Sequence, residues 1–182
     1  PSHNGMGATG WGSFAAGAYN RASGAGAVAI GFHNAAGPLD SDESSIPTSG
    51  NTTNLGQFAV GYGTQATGHV AFSAGQGTTA SGTASTALGY STTASGGYST
   101  AMGEGSTASG SRSTAMGKST TASDFASVVI GQYNSSGSSV TNNATVFNTA
   151  NTAFVIGNGT SGSLSDAFKV MFNGDATVSN DL

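Results

Sequence analysis

"GYSTAMGEGSTASG", residues 97–110, runs directly into "SRSTAMGKSTTASD", residues 111–124. Laid one over the other, Ser-Thr-Ala-Met-Gly falls on Ser-Thr-Ala-Met-Gly, and Ala-Ser follows in register. Outward from this pair, the glycines hold the same step of fourteen: Gly61, Gly75, Gly89, Gly103, Gly117 and Gly131. A second series sits seven residues on, at Ala66-Thr67-Gly68, Ala80-Ser81-Gly82, Ala94-Ser95-Gly96 and Ala108-Ser109-Gly110. Towards the N-terminus the step continues through Ala8-Thr9-Gly10, Ala15-Ala16-Gly17, Ala22-Ser23-Gly24 and Ala29-Ile30-Gly31. Two insertions interrupt it, at about residues 37–54 and 135–151. Ala153-Phe154-Val155-Ile156-Gly157 resumes it.

A period of seven invites a coiled coil, but that needs large apolar residues at two positions of every seven. One glycine per seven would cost a helix about 1 kcal/mol each time. Collagen needs glycine at every third position, and the spacing excludes it. A short strand, a glycine turn, a second short strand and a second turn per fourteen residues remain, which is a β-solenoid or β-roll. Composition agrees. Of 182 residues 30 are glycine, only 7% are charged and three are proline, so small residues in register replace both the usual core and the usual signs of disorder. A net charge of −4 provides no basic stripe for nucleic acid. Cysteine is absent, which removes disulfides and thiolate metal sites. Neither a signal peptide nor an apolar run near twenty residues is evident, and the chain reads as a fragment of a longer protein.

Strand parity assigns faces. In Ser99-Thr100-Ala101-Met102-Gly103, Ala101 lies on one face and Thr100 and Met102 on the other. With the alanines inside, the roll is thin, and Val60, Leu88, Met102, Met116 and Ile130 form an outward column. A soluble monomer does not carry such a column bare. It is expected to be an oligomer seam, several copies packing it around an axis. The pairs Thr79/Ser81, Thr93/Ser95, Thr107/Ser109 and Thr121/Ser123 are expected to face solvent.

Ala27-Val28-Ala29-Ile30-Gly31, Ser85-Thr86-Ala87-Leu88-Gly89 and Ser99-Thr100-Ala101-Met102-Gly103, each in register with the glycine series, resemble the head repeats of trimeric autotransporter adhesins of the YadA type. The resemblance covers most of residues 8–134 and then 152–158. It implies an all-β, left-handed parallel β-roll of 14-residue coils, three chains around one axis, without enzymatic activity. It also implies a homotrimer on a bacterial surface, anchored in the outer membrane through a missing C-terminal part, whose heads bind host matrix proteins, cells or surface glycans. Threonine at 86, 100 and 114 stands where the family often has valine, which makes the seam more polar. The C-terminal part, Ser165–Phe172 followed by Asn173-Gly174, is also similar to segments of phage tail fibres. That resemblance implies a virion fibre binding a bacterial envelope glycan. Residues 152–182 are expected to hold a last coil and a neck-like strand segment, with Asn173-Gly174 as a hairpin turn.

Sites of chemistry are few. His3, His33 and His69 stand apart in sequence, and no metal site is assigned to them. Asp40, Asp42 and Glu43 are the only acidic cluster but lack the spacing of a calcium loop. Gly157-Asn-Gly159-Thr-Ser-Gly162 matches a dinucleotide-binding glycine pattern without the helix and acid that must follow. No nucleophile elbow or recurrent Ser/His/acid grouping occurs, so neither catalysis nor a cofactor is expected. Candidate ligand contacts are Asp40, Asp42 and Glu43 in the first insertion, Trp11 near the N-terminus, and Thr93, Ser95, Thr107 and Ser109 on the hydroxyl column. Trp11, Phe14, Tyr19, Phe32 and His33 also suit a cap that shields the end of the rod. The hydroxyl column raises ice binding as a further alternative.

Overall fold

The computed structural model describes residues 7–37 and 56–179. Each coil holds a five-residue strand and a two-residue strand, such as Thr100–Glu104 and Thr107–Ala108. The five-residue strands stack parallel and in register, pairing Thr100 with Thr114, Ala101 with Ala115, Met102 with Met116 and Gly103 with Gly117. The two-residue strands do the same, Thr93 on Thr107 and Ala94 on Ala108. One sheet has eight strands and the other eleven. No helix occurs among the described residues. The parallel β-solenoid expected from the repeat is therefore the fold.

The expected thin interior is also found. Among the described residues the buried apolar side chains are all alanine except Val129 and Val155. Half of the interior, however, is polar. Ser85, Ser99, Ser113 and Ser127 line one inner corner, and Thr64, Thr78, Thr92, Ser106 and Thr120 another, all buried. Some of these hydroxyls link coils: Thr120 Oγ1 donates to Ser106 Oγ at 2.9 Å. Towards the N-terminal end asparagine takes over the threonine position. Asn34 Nδ2 donates to Ile30 O at 2.8 Å and to Gly61 O at 2.9 Å, while its Oδ1 accepts from Thr64 N at 2.9 Å.

Close stacking explains the glycines. Gly103 has φ +108, and a Cβ added there would overlap Gly117 O and lie 2.9 Å from Gly117 C. Gly110 has an ordinary φ, yet its Cβ would overlap the backbone of Asp124 one coil on. One series thus answers both positive φ and contact, the other contact alone.

The second insertion departs from the roll and returns to it. Val128–Gln132 pairs directly with Thr152–Asn158, parallel, across the intervening loop. The loop is clasped by Asp124, which breaks the Ala-Ser-Gly pattern. The Asp124 carboxylate is fully buried and accepts from Thr141 N at 2.6 Å and Thr152 N at 2.7 Å. Beyond it, Asp166–Met171 and Ala176–Val178 add antiparallel, and the turn between them contains Asn173 and Gly174 with φ +95.

Candidate functional site: the outer faces of the roll

Parity places Val60, Leu88, Met102, Met116 and Ile130 on the outer face of the larger sheet. All five are half-buried. Ala74 fills the same column between Val60 and Leu88. A second column runs beside it through Val28, Phe58, Phe72, Thr86, Thr100, Thr114, Val128 and Phe154. It is threonine in the middle and apolar at both ends, where Phe58 and Phe72 stack at 5.2 Å. The stripe continues past the roll, since Ile156 faces Phe168 and Phe154 faces Val170 across the antiparallel pair.

On the smaller sheet Thr79, Thr93, Thr107 and Thr121 stand in register, half-buried. Ser95 is exposed and Ser109 half-buried. The last rung differs from expectation. Ser123 is buried, because Gly137 of the second insertion accepts its backbone N–H at 2.9 Å and covers it. Its Oγ instead accepts from Ser109 Oγ at 3.1 Å.

The aromatic residues near the N-terminus are exposed and partly stacked on one another. Trp11 is 79% exposed, and Phe14, Tyr19, Phe32 and His33 are also exposed. Phe32 stacks on Tyr62 at 5.4 Å, with Tyr19 edge-on to Phe32 at 5.4 Å. His3, Asp40, Asp42 and Glu43 lie outside the described residues. Among the described residues no group of three metal-ligating side chains occurs. Of the stretch Gly157–Gly162, Gly157 and Asn158 end the strand Thr152–Asn158, and the rest lies in the connection to Asp166–Met171. Beside it a polar groove of about 390 Å³ is lined by Ser135, Ser163, Leu164 and Lys169. The Asp166 carboxylate there is already engaged, accepting from Ser135 N at 2.9 Å and Ser136 N at 2.7 Å.

One arrangement escaped the sequence reading. The Arg112 guanidinium lies between two rings, 5.2 Å from the Tyr98 centroid and 5.3 Å from that of Phe125. Tyr98 and Arg112 are fourteen apart and share one turn column, with φ +60 and +61. That spacing was a usable signal, but the turn residues vary from coil to coil and hide it.

A parallel β-solenoid with a thin alanine interior and an outward apolar stripe is a structural and binding architecture. The sequence profile of the YadA head domain repeat (2 copies) matches residues 8–34, 71–92, 80–106, 94–120 and 108–134. Together these segments span half of the chain, which belongs to the YadA head repeat family and is an adhesin-like segment of the trimeric autotransporter kind. The family is one of extracellular surface adhesins. The matches stop short of residues 152–182, whose likeness to phage tail fibres no comparison supports. No curated protein and no solved structure matches the chain.

Proposed function

We propose that this chain is the head of a homotrimeric surface adhesin, three copies packing the column Val60, Leu88, Met102, Met116 and Ile130 around one axis. The observation that carries the proposal is this in-register apolar column on an outer face. The interior of the roll offers each coil little more than two alanine methyls, about 1.6 kcal/mol at roughly 0.8 kcal/mol per buried methyl-sized group. The largest apolar side chains of the repeat lie outside, where only another chain can bury them.

Attachment to host matrix or cell surfaces then follows from number. Three identical faces each bind weakly, and tethering them to one rod multiplies the effect. Residues 135–151 act as a clasp over the last coils, and 152–182 as a last coil with a neck-like strand segment. The segment itself works as a binding fibre, with neither catalytic step nor membrane contact.

Light scattering on the purified chain tests the seam. The expected mass is three times the 17.6 kDa protomer. Met102→Glu with Met116→Glu should reduce it to one protomer, because each glutamate would bury a charge at the axis. A monomeric wild-type chain at micromolar concentration would overturn the trimer. A trimer that ignores matrix-coated surfaces and binds only bacterial envelope glycans would replace the adhesin by a phage-type fibre.

A further inference from the structure

The turn edge around Arg112 has the parts of a receptor for an anion. Arginine presents five N–H donors in a planar fork. The Tyr98 and Phe125 rings hold the guanidinium between them at 5.2 and 5.3 Å. Among the described residues no carboxylate pairs with it; the one ion pair there is Lys118 with Glu104, at 3.4 Å. Arg112 is exposed, and Tyr98 is 58% exposed.

The surroundings are built rather than incidental. Phe125 N donates to Asn143 O at 3.0 Å, and Ser111 N to Ala144 O at 2.7 Å, so the second insertion holds both residues flanking the arginine. Asn143 is itself fixed, its N–H donating to Asn151 Oδ1 at 2.8 Å and its Oδ1 accepting from Val146 N at 2.8 Å. On the other side Gly97 leaves an open shelf, where an added Cβ would meet nothing nearer than Ser111 Oγ at 3.9 Å. Thr83, one coil earlier, is exposed at the same position in the coil. Ala84, in the turn column next to Tyr98, carries no side chain long enough to cover the tyrosine ring.

We infer that Arg112, Tyr98 and Phe125 form a binding subsite for a carboxylated sugar, a hexuronate unit of an acidic glycan. The guanidinium fork takes the carboxylate in a bidentate pair. The apolar face of the pyranose lies against the exposed Tyr98 ring, and Thr83 and Ser111 offer hydroxyls beside it. A ligand that bound by charge alone would find little here, since the chain carries a net −4 and only four basic side chains. The combination of one fixed fork, one open ring and neighbouring hydroxyls favours a sugar over an acidic peptide. The inference names a ligand for the adhesin reading and rests on it only for its setting.

The test uses the purified head and a tetrasaccharide of alternating glucuronate and N-acetylhexosamine, read by titration calorimetry. Its carboxyl-reduced form and a hexaglutamate peptide serve as comparisons. Wild type should bind the uronate probe, and Arg112→Gln should weaken it about ten- to hundredfold. Arg112→Lys should lose about five- to tenfold, because the charge stays and the fork goes. The carboxyl-reduced probe should not bind. Unchanged thermal melts of both variants are expected, because Ala84 and Ala126 occupy equivalent turn positions with the same sign of φ. No uronate binding, equal binding of the reduced probe, unchanged affinity in Arg112→Gln, or tighter binding of hexaglutamate would each overturn the subsite. Adhesion of the wild-type trimer to matrix-coated surfaces is measured separately. A trimer that adheres without binding uronate keeps the adhesin reading and loses this one.

Discussion

Gly103→Ala and Gly97→Ala add the same methyl group six residues apart, and the structure predicts opposite outcomes. At Gly103 φ is +108, and the new Cβ would overlap Gly117 O and lie 3.1 Å from Gly117 N. Holding an L-residue at such a φ costs about 1–3 kcal/mol. The overlap can be relieved only by parting two coils, which loosens the ladder hydrogen bonds on either side, each worth about 1 kcal/mol net. Two such bonds bring the total to roughly 3–5 kcal/mol. At Gly97 φ is not positive and the new Cβ would have van der Waals room, with Ser111 Oγ at 3.9 Å. There the gain in unfolded-state order should stabilise by about 0.4–1 kcal/mol. Urea denaturation followed by circular dichroism, at one protomer concentration, reads both. With a slope of about 2 kcal/mol/M, Gly103→Ala should lower the midpoint by about 1.5–2.5 M and Gly97→Ala should raise it slightly. Equal midpoints for the two variants would refute the stacking argument for the glycines.

Val70 sits at φ +48, a left-handed turn position that β-branched residues rarely tolerate, while Gly56 occupies the equivalent turn one coil earlier. Val70→Gly should therefore raise stability by about 1 kcal/mol despite the added chain freedom, visible as a higher urea midpoint. Asp124→Asn leaves one acceptor oxygen where Thr141 N and Thr152 N now use two. The loop should open locally, with amide hydrogen exchange at Thr141 and Thr152 accelerated about tenfold or more and the preceding coils unchanged. Unaltered protection at both amides would show that the clasp lies elsewhere.

The sequence could be read furthest where stacking permits only one answer. Ala87, Ala101 and Ala115 fill one inner column that admits only Ser73, Val129 and Val155 besides alanine in the neighbouring coils, and the glycines beside them leave no room for a Cβ, so the fourteen-residue register alone exposes fold and faces. The two polar inner corners were not legible. Serine and threonine serve equally well in water and in a narrow interior, and nothing in Ser99 or Thr92 taken alone says that both are buried. Ser123 illustrates the same ambiguity. It continues a solvent-facing series in sequence and is covered only because a loop arriving from residue 137 closes over it. The Arg112 sandwich was hidden for a different reason. Tyr98 and Arg112 do share the repeat spacing, but Phe125 occupies the neighbouring position, and its place beside the guanidinium depends on the backbone contact to Asn143.

The chain carries its own comparison series, because every coil repeats the same physical problem. Where a column holds one small residue throughout, stacking has decided it. Where a column changes freely, stacking is indifferent and another pressure can act. The turn column runs from Gly56 through Val70, Ala84, Tyr98 and Arg112 to Ala126, all with positive φ but with no shared chemistry. The exposed strand ends do likewise, from Phe32 and Tyr62 through Gln76 and Tyr90 to Glu104 and Lys118. Neighbours in such a column lie one strand spacing apart, about 4.8 Å. That is close enough for a ring to stack on a guanidinium, and for two adjacent coils to assemble a contact neither makes alone. Recognition on this rod is therefore expected at its corners, where substitutions alter binding while the alanine interior and the glycine contacts continue to hold the coils.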